Sequence, residues 1–314
     1  MSATSPAPSR PRRRSKGAVG ERGHGWFLLP GLVLFTAVIV LPLLMNTWTS
    51  FTSWTGVGTP EWTGLSNYER LFRDATFWAS FRHSLAIIVA MVVIPTALGL
   101  LLASVLFDVV SKRFGERTSA AFRAGFYLPQ VLPVAVAGVV WGWIVHPDDG
   151  ALDAALQKVG LGSLSHDWLG DPSTALATVM AVMVWFQLGY PLVIFMAGLA
   201  RVDPELHEAA QLDGASWFQR FRLITIHLIK PEVFVVTLTT TIAALKVFPQ
   251  IFVLTRGGPG DATIVPSYFA YQNFFEKADV GYGSAIATVL TVVIIAISAV
   301  FLRYQARSEQ GGDA

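Results

Sequence analysis

The groups that could do chemistry in this chain are scattered, and their spacing argues against a catalytic centre. None of the six lysines (Lys16, Lys112, Lys158, Lys230, Lys246 and Lys277) follows a glycine, so the chain lacks the Gly-Lys pair with which a Walker A loop wraps phosphate. The six histidines show no H-E-x-x-H or similar spacing, no G-x-S-x-G elbow occurs, and there is no cysteine. Disulfides, thiolate metal sites and cysteine nucleophiles are excluded. No metal set and no catalytic residue is expected, so the chain reads as a non-enzyme. Two features carry chemistry of another kind. Lys246 sits in the apolar string AALKVFPQIF, where an ionisable group is costly and by default points to function. The stretch PELHEAAQLDGASWFQRF, residues 204–221, gathers two glutamates, an aspartate and a glycine between two apolar runs.

The elements that must position these residues are membrane helices. Of 314 residues, 53% are hydrophobic and 14% charged, against roughly a quarter charged in soluble domains. A helical span needs about 20 mostly apolar residues, and six segments qualify: 26–48, 81–107, 124–145, 174–200, 233–254 and 281–302. Backbone polar groups in lipid must be satisfied within the segment, so runs of this length are helices. The short alternating pattern of a membrane barrel is absent. The expected fold is an all-α polytopic bundle. The first run has no A-x-A-like cleavage site after Trp48 and reads as an uncleaved span.

Basic residues orient the bundle. Residues 1–25 hold Arg10, Arg12, Arg13, Arg14, Lys16 and Arg22, a tail expected to be disordered and to anchor on the cytoplasmic side. With that end inside, segments on the same side carry sixteen Lys and Arg, and those on the other side five. The positive-inside rule places both termini, including 304–314, and the 201–231 segment in the cytoplasm. A net charge of +2 gives no reason to expect nucleic acid.

The 201–231 segment is patterned to fold. Asp203 can cap a helix that opens on Pro204, with Glu205 at its positive end. Gly214 suits a left-handed stop. Ser216 and Gln219 form a capping-box pair for a second helix, along which Trp217, Phe221, Ile224 and Leu228 follow at helical spacing. An amphipathic segment lying on the bilayer would not call for the first helix, capped and rich in alanine and acids.

Glu208-Ala209-Ala210, Gly214, Ile224-Thr225-Ile226 and Pro231 resemble the EAA loop of ABC-importer permeases, in the version found in maltose-type carbohydrate permeases. A second string, LTRGGPGDAT at 254–263, followed by Tyr268, Tyr271, Phe274 and Gly281-Tyr282-Gly283, resembles the region between the last two spans of the same family. Its Gly257-Gly258-Pro259 and Thr263 match the larger-half type of the two permease subunits. The resemblance implies a type I importer architecture of six helices in the bacterial inner membrane. It implies that Glu208, Ala209, Ala210, Asp213, Gly214 and Ser216 couple to a cytoplasmic ATPase. The implied partners are a second homologous permease, two copies of an ABC ATPase, an extracytoplasmic sugar-binding protein, sugar and lipid. ATP and magnesium belong to the ATPase, and this chain binds no cofactor. His227 departs from the family, which commonly has proline near there.

Candidate pathway residues follow from the spans. Lys246 either serves the pathway or reaches an interface or neighbouring helix with its head group. Pro249, beside Gln250, is expected to break the fifth helix, and broken helices often line transporter sites. In the fourth span, Gly189 and Pro191 predict a second irregularity beside Trp185, Gln187 and Tyr190. The rings suit sugar faces and the amide suits hydroxyls, while ordinary helix packing accounts for the same residues. Gly138 and Gly142 form a GxxxG pair. Three rivals stand beside this reading, and one of them, a membrane-embedded enzyme, would want a cluster of His, Asp or Ser at one depth, which the sequence does not offer. A secondary transporter would carry buried carboxylates, and no Asp or Glu falls inside the six spans. A permease of the same superfamily could carry another small solute, against which the Gly-Gly-Pro string argues.

Overall fold

Long apolar runs without a period of two produce helices. The computed structural model of the chain describes residues 25–310. Among these there is no strand, only one antiparallel bridge between Thr52 and Trp62. The basic tail read from the sequence lies outside the described residues except for Gly25. A short N-terminal unit ends at Asn46 and a larger one begins at Thr47. The first holds most of α1 (Trp26–Thr49), a 24-residue apolar helix with a π-turn at Thr36–Val40.

The larger unit contains α2 (Ser66–Arg73), α3 (Ala75–Phe114), α4 (Glu116–Val131), α5 (Val134–Ile144), α6 (Ala151–Lys158) and α7 (Ala175–Leu199). It continues through α8 (Pro204–Leu212), α9 (Trp217–Leu228), α10 (Lys230–Leu245), α11 (Pro249–Leu254), α12 (Pro266–Tyr271) and α13 (Val280–Gln310). Helices α1, α3, α7 and α13 are each long and apolar enough to cross a membrane, and two bent pairs bring the number to six.

Helix α3 is the axis of the larger unit. Its 40 residues extend about 60 Å at 1.5 Å per residue. Asp74 caps its start, accepting from the N–H of Thr76 at 2.8 Å. With α7 it runs through two apolar cores. One, towards the start of α3, contains Phe77, Ile87, Val179, Ile251, Tyr268 and Tyr282. The other, towards its end, contains Leu100, Leu106, Leu192, Phe195, Ile229 and Val236. Lipid tails are as apolar as these side chains, so close fit rather than transfer from water must hold the helices together. Glycine permits that fit. A Cβ on Gly99 would lie 2.8 Å from Cβ of Pro191, and one on Gly189 would lie 2.5 Å from the Phe126 carbonyl oxygen.

Three breaks interrupt the helices, and the one at Pro249 is the break expected from the sequence. The run 124–145 is two helices, α4 and α5, meeting at 97°. Leu132, preceding Pro133, is extended (ψ 138°), as the proline ring demands of its predecessor. The run 233–254 belongs to α10 and α11, which stop and restart around Lys246–Phe248; Pro249 opens α11. A third bend of 70° separates α9 from α10, at the buried Ile229. The irregularity expected at Gly189 and Pro191 is a one-residue interruption at Leu188, which keeps helical angles (φ −58°, ψ −35°), so that the two halves of α7 still form one span. Gly189 serves the close approach of α4, and Pro191 abuts Gly99. Of the GxxxG pair, only Gly138 packs, against Val253; a Cβ on Gly142 would meet nothing within 4 Å. The segment expected as a C-terminal tail from 304 is helical through Gln310.

At the start of α3 an aromatic and polar cap is fixed. Asn67 Nδ2 donates to the carbonyls of Ser50 and Thr52 at 2.9 and 2.8 Å, and Gly281 N–H donates to Trp54 O at 3.0 Å. Arg70 pairs with Asp279 at 2.6 Å while its guanidinium lies 3.9 Å from the centroid of Tyr282. The Tyr282 hydroxyl donates to Asp74 Oδ2 at 2.7 Å. The 49–80 segment is therefore tied to the start of α13, through residues that the sequence presents only as scattered aromatics.

Candidate functional site

The hairpin α8–α9 is closed by its own side chains. Asp203 Oδ1 accepts from the N–H of Glu205 at 3.0 Å, and Pro204 occupies the first turn, where no amide donor is needed. At the other end Gly214 has φ +80°. There Ala215 N–H reaches Ala210 O at 2.9 Å and Gly214 N–H reaches Gln211 O at 3.1 Å, the paired bonds of a Schellman stop. Ser216 begins the next helix at once. Its N–H donates to Gln219 Oε1 at 2.7 Å, and its Oγ accepts from Gln219 N–H at 3.4 Å. Arg220 Nη1 then returns to Ala215 O at 2.7 Å. Each side-chain N-cap contributes about 1 kcal/mol, so two such caps and the glycine stop favour one bent shape within eighteen residues, while Phe221 and Ile226 seat α9 against the core. Helix α9 continues to Leu228, and His227 in place of proline leaves it helical and exposed.

What the hairpin presents is partly polar and partly apolar. Glu208, Ala209, Asp213, Gly214 and Ser216 are exposed, and Ala210 is half-buried. Leu212, between them, is 90% exposed. An exposed leucine alone is ordinary, but Phe218 and Leu223 on the next helix are exposed as well. A cleft of about 310 Å³ separates the hairpin from the end of α3 and is lined by Asp108, Lys112, Glu208, Gln211, Trp217 and Arg220. Two carboxylates and two cations thus face one space, with Lys112 3.8 Å from Asp108. Leu212 and Asp108 were not singled out by sequence; the available signal was a leucine inside an otherwise polar turn.

The Gly-Gly-Pro string forms a tight knot after α11. Arg256, Gly257, Gly260 and Asp261 all have positive φ. Gly257, at φ +80°, also has no room: a Cβ there would lie 3.0 Å from the Tyr268 ring. The Gly258–Pro259 peptide is cis. Thr263 is fully buried; its hydroxyl donates to Gly258 O at 2.8 Å and meets Thr255 Oγ1 at 2.7 Å. His83 on α3 donates from Nδ1 to Ile264 O at 2.9 Å. This geometry packs the string into the core beside α3.

The candidate pathway residues separate into two groups. Tyr190 on α7 and Thr239 on α10 join their hydroxyls at 3.0 Å. Gln187 Nε2 donates to Thr240 Oγ1 at 3.2 Å. Lys246 ends α10, exposed, with no ion pair recorded for it among the described residues. It continues an exposed stripe of Thr239 and Ala243 at helical spacing. Gln250 is half-buried, and its Oε1 is enclosed without a hydrogen-bond partner among the described residues. Trp185 does not join them. It packs edge-to-face on Trp141 at 5.3 Å and lines an open groove with Thr118, Phe122 and Gly125 of α4. Five helical steps of about 100° set it roughly 140° around α7 from Tyr190. Sequence reasoning missed Gln130, whose Nε2 donates to Phe186 O at 2.9 Å; its only signal was its place between Pro129 and Pro133.

Comparison with known proteins agrees with this architecture. Residues 110–310 match the family described as binding-protein-dependent transport system inner membrane component. The chain is 36% identical over 280 residues to the probable ABC transporter permease protein YurN of Bacillus subtilis (strain 168), covering 88% of this chain and 94% of that one. It is 32% identical to the trehalose/maltose transport system permease protein MalF of Thermococcus litoralis, covering 88% and 91%. In structure it resembles a chain of a bacterial ABC transporter involved in the import of the acidic polysaccharide alginate, with a TM-score of 0.78, 21% identity, and coverage of 90% and 94%. With four helices long and apolar enough to cross a membrane, or six counting the bent pairs, and a relative above a third identical along nearly its full length, the chain belongs to the binding-protein-dependent transport system inner membrane component family, the multi-pass permease subunits of ABC importers.

Proposed function

We propose that this permease forms half of the path for a sugar, and that the α8–α9 hairpin is the handle by which a separate ATPase drives it. The observation that carries the second part is the hairpin's dense local capping, combined with an exposed acidic helix and a bare Leu212 at its tip. A segment held rigid from within, yet left uncovered, transmits force to the helices on either side. Here those are α7, through Ala200–Asp203, and α10, through the bend at Ile229. ATP and magnesium act in the ATPase, which is supplied by other chains as a homodimer or equivalent pair. A second homologous permease completes the path, and an extracytoplasmic binding protein delivers the sugar at the end of the bundle carrying the Arg70–Asp279 cap. The charge distribution supports a cytoplasmic position for the hairpin, and the membrane in this reading is the bacterial inner membrane.

Sugar is favoured as cargo by the relatives. Besides the trehalose/maltose permease, they include a sulfoquinovosyl glycerol permease from Agrobacterium fabrum, 31% identical. The structural neighbour has also been solved with its alginate pentasaccharide-bound periplasmic protein. Hydroxyl-bearing side chains at Tyr190 and Thr239, an enclosed Gln250 amide oxygen with no partner among the described residues, and no carboxylate in the six apolar runs read from the sequence suit a neutral polyol better than a cation. A di- or oligosaccharide is the expected class. Uptake by the complete complex in proteoliposomes tests the reading. Sugar should accumulate only with internal ATP and the binding protein present, whereas uptake driven by an ion gradient alone would contradict it.

A further inference from the structure

One chain of hydrogen bonds crosses three helices where the bundle bends. Gln130, on the last turn of α4, donates from Nε2 to Phe186 O on α7 and, at 3.4 Å, to Gln187 Oε1. Because Gln187 receives on its oxygen, its NH₂ must face away from α4, and it donates to Thr240 Oγ1 on α10. Thr240 is buried. The α4–α7 crossing is antiparallel and close: Phe126 faces Gly189, and one turn later Gln130 faces Phe186. Directly after Gln130 comes the 97° break between α4 and α5. The far end of α4 is fastened to the part of α3 beside the hairpin cleft. Ser119 Oγ donates to Leu106 O at 3.3 Å, and Ser111 Oγ donates to Glu116 at 2.8 Å, while Asp108 and Lys112 line the cleft itself. Helix α4 therefore connects the hairpin's surroundings to the Gln187 amide.

We propose that Gln130 is a positioning residue for transport, orienting the Gln187 amide towards Thr240 so that the link from α4 through α7 to α10 holds the resting state of access. The inference rests on reading the chain as a sugar path, and it deepens that reading. Gln187, in this arrangement, has its oxygen and one N–H engaged within the protein, so it acts as a link between helices rather than as a free ligand for hydroxyls. Without Gln130, Gln187 is no longer held to one orientation and α10 is released from α4. The balance between access states should then shift by about five- to tenfold, the effect on an equilibrium constant of losing one or two neutral hydrogen bonds.

The absence of cysteine from the chain makes the test direct. Ala243→Cys, on the exposed stripe of α10, is labelled with a maleimide in the complete transporter in proteoliposomes, at rest and trapped with ATP and vanadate, and labelling of this chain is read on a gel. Gln130→Leu should move the resting rate about five- to tenfold towards the trapped rate, with the subunits still co-purifying. Thr240→Val, which cuts the chain of bonds from its other end, should do the same, and it decides the matter alone if Gln130→Leu fails to assemble. Wild-type rates in both states for the assembled variants would overturn the role of Gln130 while leaving the sugar path intact. If labelling is equal at rest and trapped in the unmodified background, α10 does not move in the cycle, and both readings are contradicted.

Discussion

Arg201 and Glu232 form an ion pair across the base of the α8–α9 hairpin, thirty-one residues apart in sequence. The Glu232 side chain is only 13% exposed and passes over Gly198, where a Cβ would lie 2.9 Å from it. The hairpin is thus closed at its base by a charge pair, at its bend by the Gly214 stop, and at each helix start by a side-chain cap.

Removing Arg201 should loosen that base. The guanidinium is largely exposed, which places the pair near 0.5–1 kcal/mol, or about two- to fivefold in an opening equilibrium. Arg201→Ala should speed amide hydrogen exchange in α8 and α9 by that factor, and Arg201→Ala with Glu232→Gln should recover part of it, since no unpaired charge remains. Unchanged exchange in the single variant would show that the pair is not a clamp.

Gly214 and Glu208 report on coupling. Any L-residue at φ +80° is strained by about 1–2 kcal/mol, and proline would also lose the N–H that meets Gln211 O. Gly214→Pro and Glu208→Lys should leave membrane insertion normal, yet reduce ATPase co-purification or sugar uptake at least tenfold. Normal uptake in both variants would refute the handle.

Lys246→Ala should change transport without changing ATPase association, because the lysine ends α10, well separated in sequence from the hairpin. Initial uptake rates across a range of sugar concentrations check this. Wild-type kinetics with normal protein levels would mean that the lysine only reaches an interface.

His146 predicts a local pH dependence outside the spans. Its imidazole is drawn to the protonated form by the Pro147 carbonyl first and by the Asp149 carboxylate at 2.7 Å second, which raises its pKa. A raised folded-state value means the added stability is complete below the ordinary histidine range near 6.5 and is lost as pH rises through the raised value. Exchange of amides 146–150, corrected for intrinsic rate, should therefore accelerate between pH 6 and 8, modestly because the site is exposed. His146→Ala should abolish the change, and a flat profile in the wild type would contradict the clasp.

The hairpin was legible because its information is local: Asp203, Gly214, Ser216 and Gln219 act on backbone groups within a few residues of themselves. The helical runs were legible for the same reason. What sequence could not supply is the partner of each side chain. Gly189 and Pro191 read as an irregularity because both weaken an isolated helix, and α7 is interrupted at Leu188; that Gly189 admits α4 at Phe126 and that Pro191 abuts Gly99 was not legible. Trp185 and Tyr190 share a span, yet helical rotation sends them to different faces. Gln130 was invisible because its importance lies entirely in reaching Phe186 and Gln187, more than fifty residues away.

The central claim is that a partner ATPase grips the hairpin from the cytoplasm. Leu212→Cys, at the exposed tip, tests it most directly. In intact cells it should resist a membrane-impermeant maleimide added outside, and in inside-out vesicles it should cross-link to the ATPase. Labelling from outside, with no cross-link formed, would contradict the account.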